Sequence, residues 1–502
     1  MATTTVRSRR ESDSWIGVPG PYPGPRPFRP DETGLFFGRD REISQLRSLV
    51  LAHSLVLLYS ESGAGKSSLI RAGLVPALRE RNVTVLPLGR IRPSGADLPA
   101  GAEIENAYVA SMVANAAAAH PDIIPRVDGV RDLCGFVEAM AALHEAPVDE
   151  PRVLMIDQFE ELFTTLPDRW ESRGEFFDQL QRAFDADAEL RVVLAIREDY
   201  LAQTDPYSPL IDNHLRHRFR LERLDRKQAL DAVTRPMAGT ARRFAPEAAE
   251  YLVDQLAQIR FERAGQLEVV PGEYAEPVQL QIVCATLWGR LEGLPERVDE
   301  ITTSHIDQYA EVDRALSRFF GEVVGRVAAQ TRIDPLEIRK WCEDQLITPG
   351  GTRALVYRGQ TETEGIVNDV LDGLEGEYLI RGEERAGSHW YELSHDKFVE
   401  AIRAGNREKV AELRVLDAKS AKARRGIRRG AALLGISAAL FVVVCVIAFT
   451  ANNGNNPPTW ADVLVAILLV IAAIALILIV VSALRLSGLV FRLRASRRRA
   501  RS

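Results

Sequence analysis

Ser54-Leu55-Val56-Leu57-Leu58-Tyr59-Ser60-Glu61-Ser62-Gly63-Ala64-Gly65-Lys66-Ser67-Ser68-Leu69-Ile70 is the stretch on which the fold turns. Ser54–Tyr59 is a short apolar run bounded by polar residues, which fits a strand buried on both faces of a parallel sheet. The loop after it carries the core of the pattern G-x-x-x-x-G-K-[ST], with Ser60 where the first glycine normally stands. Ser67–Leu78 then reads as a helix that Pro76 should disturb near its end. A strand, a glycine loop and a helix in this order are the context in which a phosphate loop works. Gly63, Ala64, Gly65, Lys66, Ser67 and Ser68 are therefore candidate nucleotide-binding residues. Backbone N–H groups and the positive helix end can wrap phosphates. Lys66 would pair with the β- and γ-phosphates and the Ser67 hydroxyl would bind Mg²⁺. ATP or ADP with Mg²⁺ is the expected ligand.

Two further strand ends belong beside this loop. Arg152-Val153-Leu154-Met155-Ile156-Asp157 is an apolar run closed by an aspartate, which puts a carboxylate at the C-terminal sheet edge, where it can hold Mg²⁺ through water. Gln158 cannot act as a base; Glu160, then Glu161, are the candidates to orient a hydrolytic water. Arg191–Ile196 ends in Arg197, a cation placed to sense a γ-phosphate, or else one held in a surface pair with Glu198 or Asp199.

Outward from these motifs, residues 1–20 are polar and read as disordered. Pro21–Phe28 is stiffened by prolines and cannot be helix. Asp40–Leu51 reads as a helix, and Thr84–Leu88, Val153–Ile156 and Val192–Ile196 as further buried strands. The fold class is thus an α/β phosphate-loop domain with a parallel sheet over residues 21–220. From about Leu221 strands give way to helices, Asp225–Val233, Pro246–Gln258 and Gln279–Leu291, making a helical domain over 221–312. Residues 313–404 mix helices with two β-like pieces, Ala354–Arg358 and His389–Leu393, the profile of a winged helix. No internal repeat is visible, so no solenoid or propeller sensor is expected.

The net charge of −6 hides an asymmetry: the segment from Arg403 on holds 17 Lys and Arg against 4 Asp and Glu, so the body before it is strongly acidic. An acidic body argues against nucleic acid as a partner. Cys134, Cys284, Cys342 and Cys445 are too scattered for a zinc site or a disulfide framework. Residues 405–430 read as a basic juxtamembrane helix, and Ala431–Ala451 and Val463–Leu484 each approach the ~20 apolar residues that span a bilayer. Their flanks and the tail 485–502 are basic while the connector 452–460 has no Lys or Arg, which predicts a hairpin with both ends cytoplasmic. The expectation is a multi-pass inner-membrane protein whose N-terminal domains and C-terminal tail face the cytoplasm, in contact with the lipid bilayer.

Pro21-Tyr22-Pro23-Gly24, Arg26-Pro27-Phe28 and Leu35-Phe36-Phe37-Gly38-Arg39-Asp40-Arg41-Glu42 resemble the entry segment of the novel STAND NTPases, signal-transduction ATPases related to NACHT and apoptotic ATPase domains. Ser67–Leu74 and Asp157-Gln158-Phe159-Glu160-Glu161-Leu162-Phe163 match the same pattern, and the resemblance covers roughly Pro21 to Arg403. It implies an ATP/ADP switch, closed with ADP and opening to form a homo-oligomer with ATP. By the same resemblance Phe37, Gly38 and Arg39 line the base and ribose, and Pro236 lies near the adenine. His395, in Leu393-Ser394-His395-Asp396, would contact the β-phosphate and lock the resting state. Family members often carry a repeat array as sensor; this chain shows none, so a separate sensor or effector protein is an expected partner.

The leading expectation is a membrane-tethered switch with slow ATPase turnover, acting in bacterial defence or stress signalling. The rivals are a constitutive membrane-anchored scaffold with structural nucleotide, and a housekeeping motor with steady turnover.

Overall fold

The structure is a computed structural model that describes residues 20–92, 98–99, 103–144, 149–211, 214–263, 266–295, 297–385 and 388–451, with Trp460, Leu464, Ile467, Leu468 and Ile471. The disordered lead expected over residues 1–20 falls, but for Gly20, outside the described residues. The chain divides into two compact units, one of residues up to Val327 with Trp341–Ile402, the other of Ala328–Lys340 with residues from Arg403 on.

The first unit is built on a parallel sheet of five strands: β1 (Leu55–Ser60), β2 (Thr84–Val85), β3 (Arg152–Ile156), β4 (Leu190–Arg197) and β5 (Arg218–Arg220). Their spatial order is β2-β3-β4-β1-β5, so β4 stands between the strand of the phosphate loop and the strand of Asp157. Strand alternation sends side chains to opposite faces, and two apolar clusters follow from it. Leu55, Leu57, Leu154, Ile156 and Leu194 pack on one face with α4 (Ala107–Ala119), α5 (Leu133–Leu143), α6 (Glu161–Thr164) and α7 (Ser172–Ala186). Val56, Leu58, Val153, Met155 and Val193 pack on the other with α1 (Asp40–Ala52). These residues are wholly buried, and each such side chain contributes about 1.5–3 kcal/mol. Caps fix the helix starts: Asn106 accepts from the Tyr108 and Val109 amides, and Asp132 from Gly135.

Behind the phosphate loop, α2 (Lys66–Ser68) runs into a π-helical turn, Leu69–Leu74, and on into α3 (Val75–Arg79). Pro76 has no N–H to give to the preceding turn, and a wider turn just before it accommodates that loss. The helix is therefore widened before Pro76 rather than broken by it.

Beyond β5 the expectation that strands stop needs correction. An antiparallel hairpin, Gln258–Arg263 with Gln266–Pro271, interrupts the helices α8 (Arg226–Thr234), α9 (Pro246–Ala257) and α10 (Pro277–Glu292). Further on, Ser388–Leu393 lies between Val356–Tyr357 and Ile380–Arg385 in a three-stranded antiparallel sheet, close to the two β-like pieces that the sequence indicates.

In the second unit, Arg339 donates to the Asn406 side chain at 3.2 Å and receives the Asn406 amide at its carbonyl at 3.0 Å. The backbone from Lys397 to Ala451 is one helix. The expected multi-pass membrane placement, with its bilayer contact, is overturned: among the described residues no helix is long and apolar enough to cross a membrane. Within Ala431–Ala451 the described side chains are Ala432, Ile436, Ala439 and Val443, and within Val463–Leu484 the described residues are Leu464, Ile467, Leu468 and Ile471. The rest of Val463–Leu484, and the tail 485–502, lie outside the described residues.

Candidate nucleotide-binding site

The loop leaves β1 at Ser60 and turns through Gly63 and Gly65, whose φ values of +82° and +99° are in the left-handed region. Only glycine adopts both without strain. Ser60, the departure from the usual motif, is buried, and its Oγ accepts from the Lys66 ammonium at 2.9 Å. Lys66 also reaches the Ser60 carbonyl at 3.4 Å, so the hydroxyl is a second hold on the lysine that a glycine would lack. Burial pushes the Lys66 ammonium below its ordinary value; Glu160 and Asp157 oppose that, while Arg197 and Arg381 add to it.

Strand register brings the other expected groups to the same edge, since Ser60 pairs with Arg197 across β1 and β4. Asp157 follows β3 and is buried; its Oδ1 accepts from the Gln158 amide at 3.0 Å. Its Oδ2 is buried with no hydrogen-bond partner, and Arg71 stands 3.9 Å away. The two glutamates part company. Glu160 faces the cavity and accepts from the Arg197 amide at 3.2 Å, and burial, outweighing Lys66 and Arg197, pushes its carboxyl up. Glu161 is turned away into an ion pair with Arg90 and accepts from the Arg92 amide at 3.0 Å.

The cavity in front of the loop is about 240 Å³ and is lined by the loop from Ser62 to Ser68 with Asp157, Glu160 and Arg197. Arg26, Arg39 and Arg381 add positive charge, and Phe36, Phe37, Leu224, Pro277 and Val278 form apolar wall. Phe37 lies under the Arg235 guanidinium, 4.3 Å from the ring centre. Arg39 is buried and donates to the Ala64 carbonyl at 3.1 Å, bracing the phosphate loop. Gly38 has φ +83°, and a Cβ there would meet the Gln228 carbonyl oxygen at 2.3 Å, so no side chain fits. Ser68 accepts from the Phe28 amide at 3.2 Å, which ties the proline-rich entry segment to the loop. Pro236 is buried at the start of the turn Arg235–Gly239 and is not part of the cavity wall, which Ala232 lines in that region.

His395 lies against the loop rather than in the cavity wall. Its Cδ2 and Nε2 are 3.2 and 3.3 Å from where a Gly63 Cβ would stand, and Nε2 is 2.8 Å from Glu276. Nδ1 accepts from the Lys397 amide, which assigns the ring proton to Nε2. Burial disfavours the Glu276 carboxylate, but the bond and charge of His395, with Lys397 and Arg223, hold it below the ordinary carboxylate range.

Three groups escaped sequence reasoning. Arg381, on the strand Ile380–Arg385, donates to Ser62 of the phosphate loop and pairs with Glu392. Glu383, two residues on, lies 3.5 Å from Arg197 and accepts from the Tyr200 hydroxyl at 2.7 Å. Arg71 faces Asp157 from the π-helical turn. Arg71 lies inside the matched stretch Ser67–Leu74 but was given no role there; for Arg381 and Glu383 charges spaced by two on a strand are the only signal, and folding alone shows what they meet.

The cavity suits a polyanion with a metal ion. Lysine and arginines converge on it, loop amides are presented by two left-handed glycines, and a buried carboxylate oxygen lacks the partner that such a group normally has. A phosphate loop closing a buried strand of a parallel sheet, with an acid at the end of the strand two places away, defines the P-loop NTPase type of fold. The chain belongs to a family within that class, novel STAND NTPase 1, whose model matches residues 21–403. No curated protein matches the chain. Among solved structures it is similar to the ORC2 protein of Aeropyrum pernix in ADPNP–ADP complexes, at 14% identity over 74% of this chain and 95% of that one, with a TM-score of 0.36. It is also similar to Cdc6p of Pyrobaculum aerophilum, at 13% identity over 74% of this chain and 94% of that one, with a TM-score of 0.34. Likeness at those scores carries no argument about this chain.

Proposed function

We propose that this chain is a nucleotide-operated switch, which binds ATP or ADP with Mg²⁺ and assembles into a homo-oligomer in the triphosphate state. One observation carries the reading: Arg381 of the C-terminal sheet and His395 just beyond it reach the phosphate loop itself, at Ser62 and Gly63. A module resting on the phosphate cradle is in a position to respond to what the cradle holds. Residues 313–404 act in this reading as the winged-helix module, 21–220 as the nucleotide domain and 221–312 as the helical domain between them.

Lys66 and the amides from Gly63 to Ser68 hold the phosphates, and Ser67 with Asp157 holds the metal ion. Phe37 lies beside the base and Arg39 keeps the loop in shape. Bound Mg²⁺ would supply charge neutralisation to the phosphates. Glu160, anchored through Oε2 to the Arg197 amide, lines the cavity beside Asp157 and is the carboxylate that can take a water proton. Glu161 is held by Arg90 and supports that segment instead. Hydrolysis is slow in this scheme, because Arg197 is engaged by carboxylates in the closed arrangement. Signalling in defence or stress, with a separate sensor or effector protein, is the output that resemblance to signal-transduction ATPases implies.

Sedimentation velocity of the full chain tests the switch. With ADP it should sediment as a monomer, and with a non-hydrolysable ATP analogue and Mg²⁺ as a larger assembly. A monomer under both conditions would overturn the reading.

A further inference from the structure

The strand Ile380–Arg385 puts Arg381 and Glu383 on one face, because successive side chains alternate. Arg381 reaches the phosphate loop at Ser62, and Glu383 reaches Arg197. Gly382 between them backs onto its own module. A Cβ there would stand 2.4 Å from the His389 Nε2 and 2.8 Å from the Glu375 Oε1, so the strand lies flush and its charged face is presented outward. One short strand thus offers a cation to the loop and an anion to the arginine at the end of β4. That arginine lines the same cavity as Lys66. Its terminal nitrogens meet Asp199 at 2.6 Å and Glu383 at 3.5 Å, and its Nε is buried with no hydrogen-bond partner.

We infer that Glu383 makes the closed arrangement selective for a nucleoside diphosphate over a triphosphate. The inference rests on the nucleotide-switch reading and goes beyond it by naming the residue that tells the two nucleotides apart. With a diphosphate in the cradle, Arg381 adds positive charge at the loop and Arg197 keeps Glu383. With a triphosphate, Arg197 either leaves Glu383 or holds it close to a further anionic group. The first outcome takes a cation away from a mostly buried carboxylate and the second sets like charges together; both are costly where water is scarce. Triphosphate therefore weakens the hold on the hairpin of Ile380–Arg385 with Ser388–Leu393, and by linkage that closed hairpin weakens triphosphate binding by the same factor. Glu383 is a positioning residue: it acts through Arg197, with Tyr200 fixing its carboxylate.

The test compares equilibrium binding of fluorescent ADP and of a fluorescent non-hydrolysable ATP analogue, both with Mg²⁺, to the full-length wild type, Glu383→Gln and Tyr200→Phe. The wild type should prefer the diphosphate. Glu383→Gln should shrink that preference by about fivefold or more, the low end of usual coupling factors, chiefly through tighter triphosphate binding. Tyr200→Phe should move it less in the same direction, and carries the test alone if Glu383→Gln does not fold. In hydrogen exchange, triphosphate should loosen residues 380–393 of the wild type more than those of Glu383→Gln. An unchanged preference in variants that still bind nucleotide overturns the role of Glu383 and leaves the switch standing. A wild type that binds neither nucleotide overturns both.

Discussion

The parallel sheet and the hairpin that rests on its phosphate loop are held by different forces. In the sheet, Leu57, Leu154 and Leu194 are wholly buried in one apolar cluster. In the hairpin, the contacts to the nucleotide domain are charged or polar: Arg381 to Ser62, Glu383 to Arg197 and Tyr200, His389 to Arg92 at 3.2 Å. Apolar burial is non-directional and stays until the domain unfolds. Charged contacts are directional and each can be exchanged for a bond to an anion. The cradle is built to persist, and the part that touches it is built to let go.

The sharpest way to break this contrast is Leu194→Ala. It should cost about 2–5 kcal/mol and lower the melting temperature of the whole unit, as thermal denaturation would show. Lys66→Ala should weaken nucleotide binding on the order of 100-fold, as loss of a buried charge partner does, with the fold intact by circular dichroism. Arg381→Ala should leave global melting nearly unchanged while hydrogen exchange over residues 380–393 accelerates, by an amount matching the ~1–3 kcal/mol of a charged hydrogen bond. A large fall in melting temperature there would mean that the hairpin is part of the core after all.

Acid gives a gentler probe. Burial first, then Arg92 and Arg358, push the His389 imidazole down to about 4 from an ordinary value of 6.5. The folded hairpin therefore favours the neutral ring. Its contribution is fully present above pH 6.5 and is lost as pH falls toward 4, about 1–2 kcal/mol once solvent screening of a half-exposed ring is allowed for. Protection of residues 380–393 should decline over that window in the wild type and stay level in His389→Asn. Glu160 carries the opposite sign: its raised carboxyl stabilises the fold below the ordinary carboxylate range and costs stability as pH rises through its folded value. Glu160→Gln should slightly raise the melting temperature of the nucleotide-free protein at neutral pH, the smallest effect of the set.

The same contrast explains what the sequence made legible. Leu55–Leu58, Val153–Ile156 and Val192–Ile196 could be read as strands because a strand buried on both faces is a continuous apolar run. Lys66, Asp157, Glu160 and Arg197 could be read because each stands at the end of such a run. Ser60 was visible only as a missing glycine, since its bond to Lys66 closes through space. Glu160 and Glu161 are equivalent in sequence and are separated by Arg90, which is 71 residues from Glu161. Arg381 and Glu383 were illegible because their partners lie far away in the chain. The hairpin Gln258–Pro271 was hidden by polar residues that mask its alternation. The C-terminal apolar runs misled in the other direction: a count of apolar residues suggested membrane spans, and the described residues hold no helix that qualifies.

The place of β4 between β1 and β3 has one more consequence. Neighbouring strands lie about 4.8 Å apart, so the sheet itself rules a gap of about two such spacings between the strand of Lys66 and the strand of Asp157, with Arg197 on the middle line. That width belongs to the backbone lattice and to no side chain. A point substitution can change which group stands at either end of the span but cannot lengthen or shorten it. Variation at this site is thereby confined to chemistry at fixed stations, and any change of reach has to come from loops and from the module that rests on them.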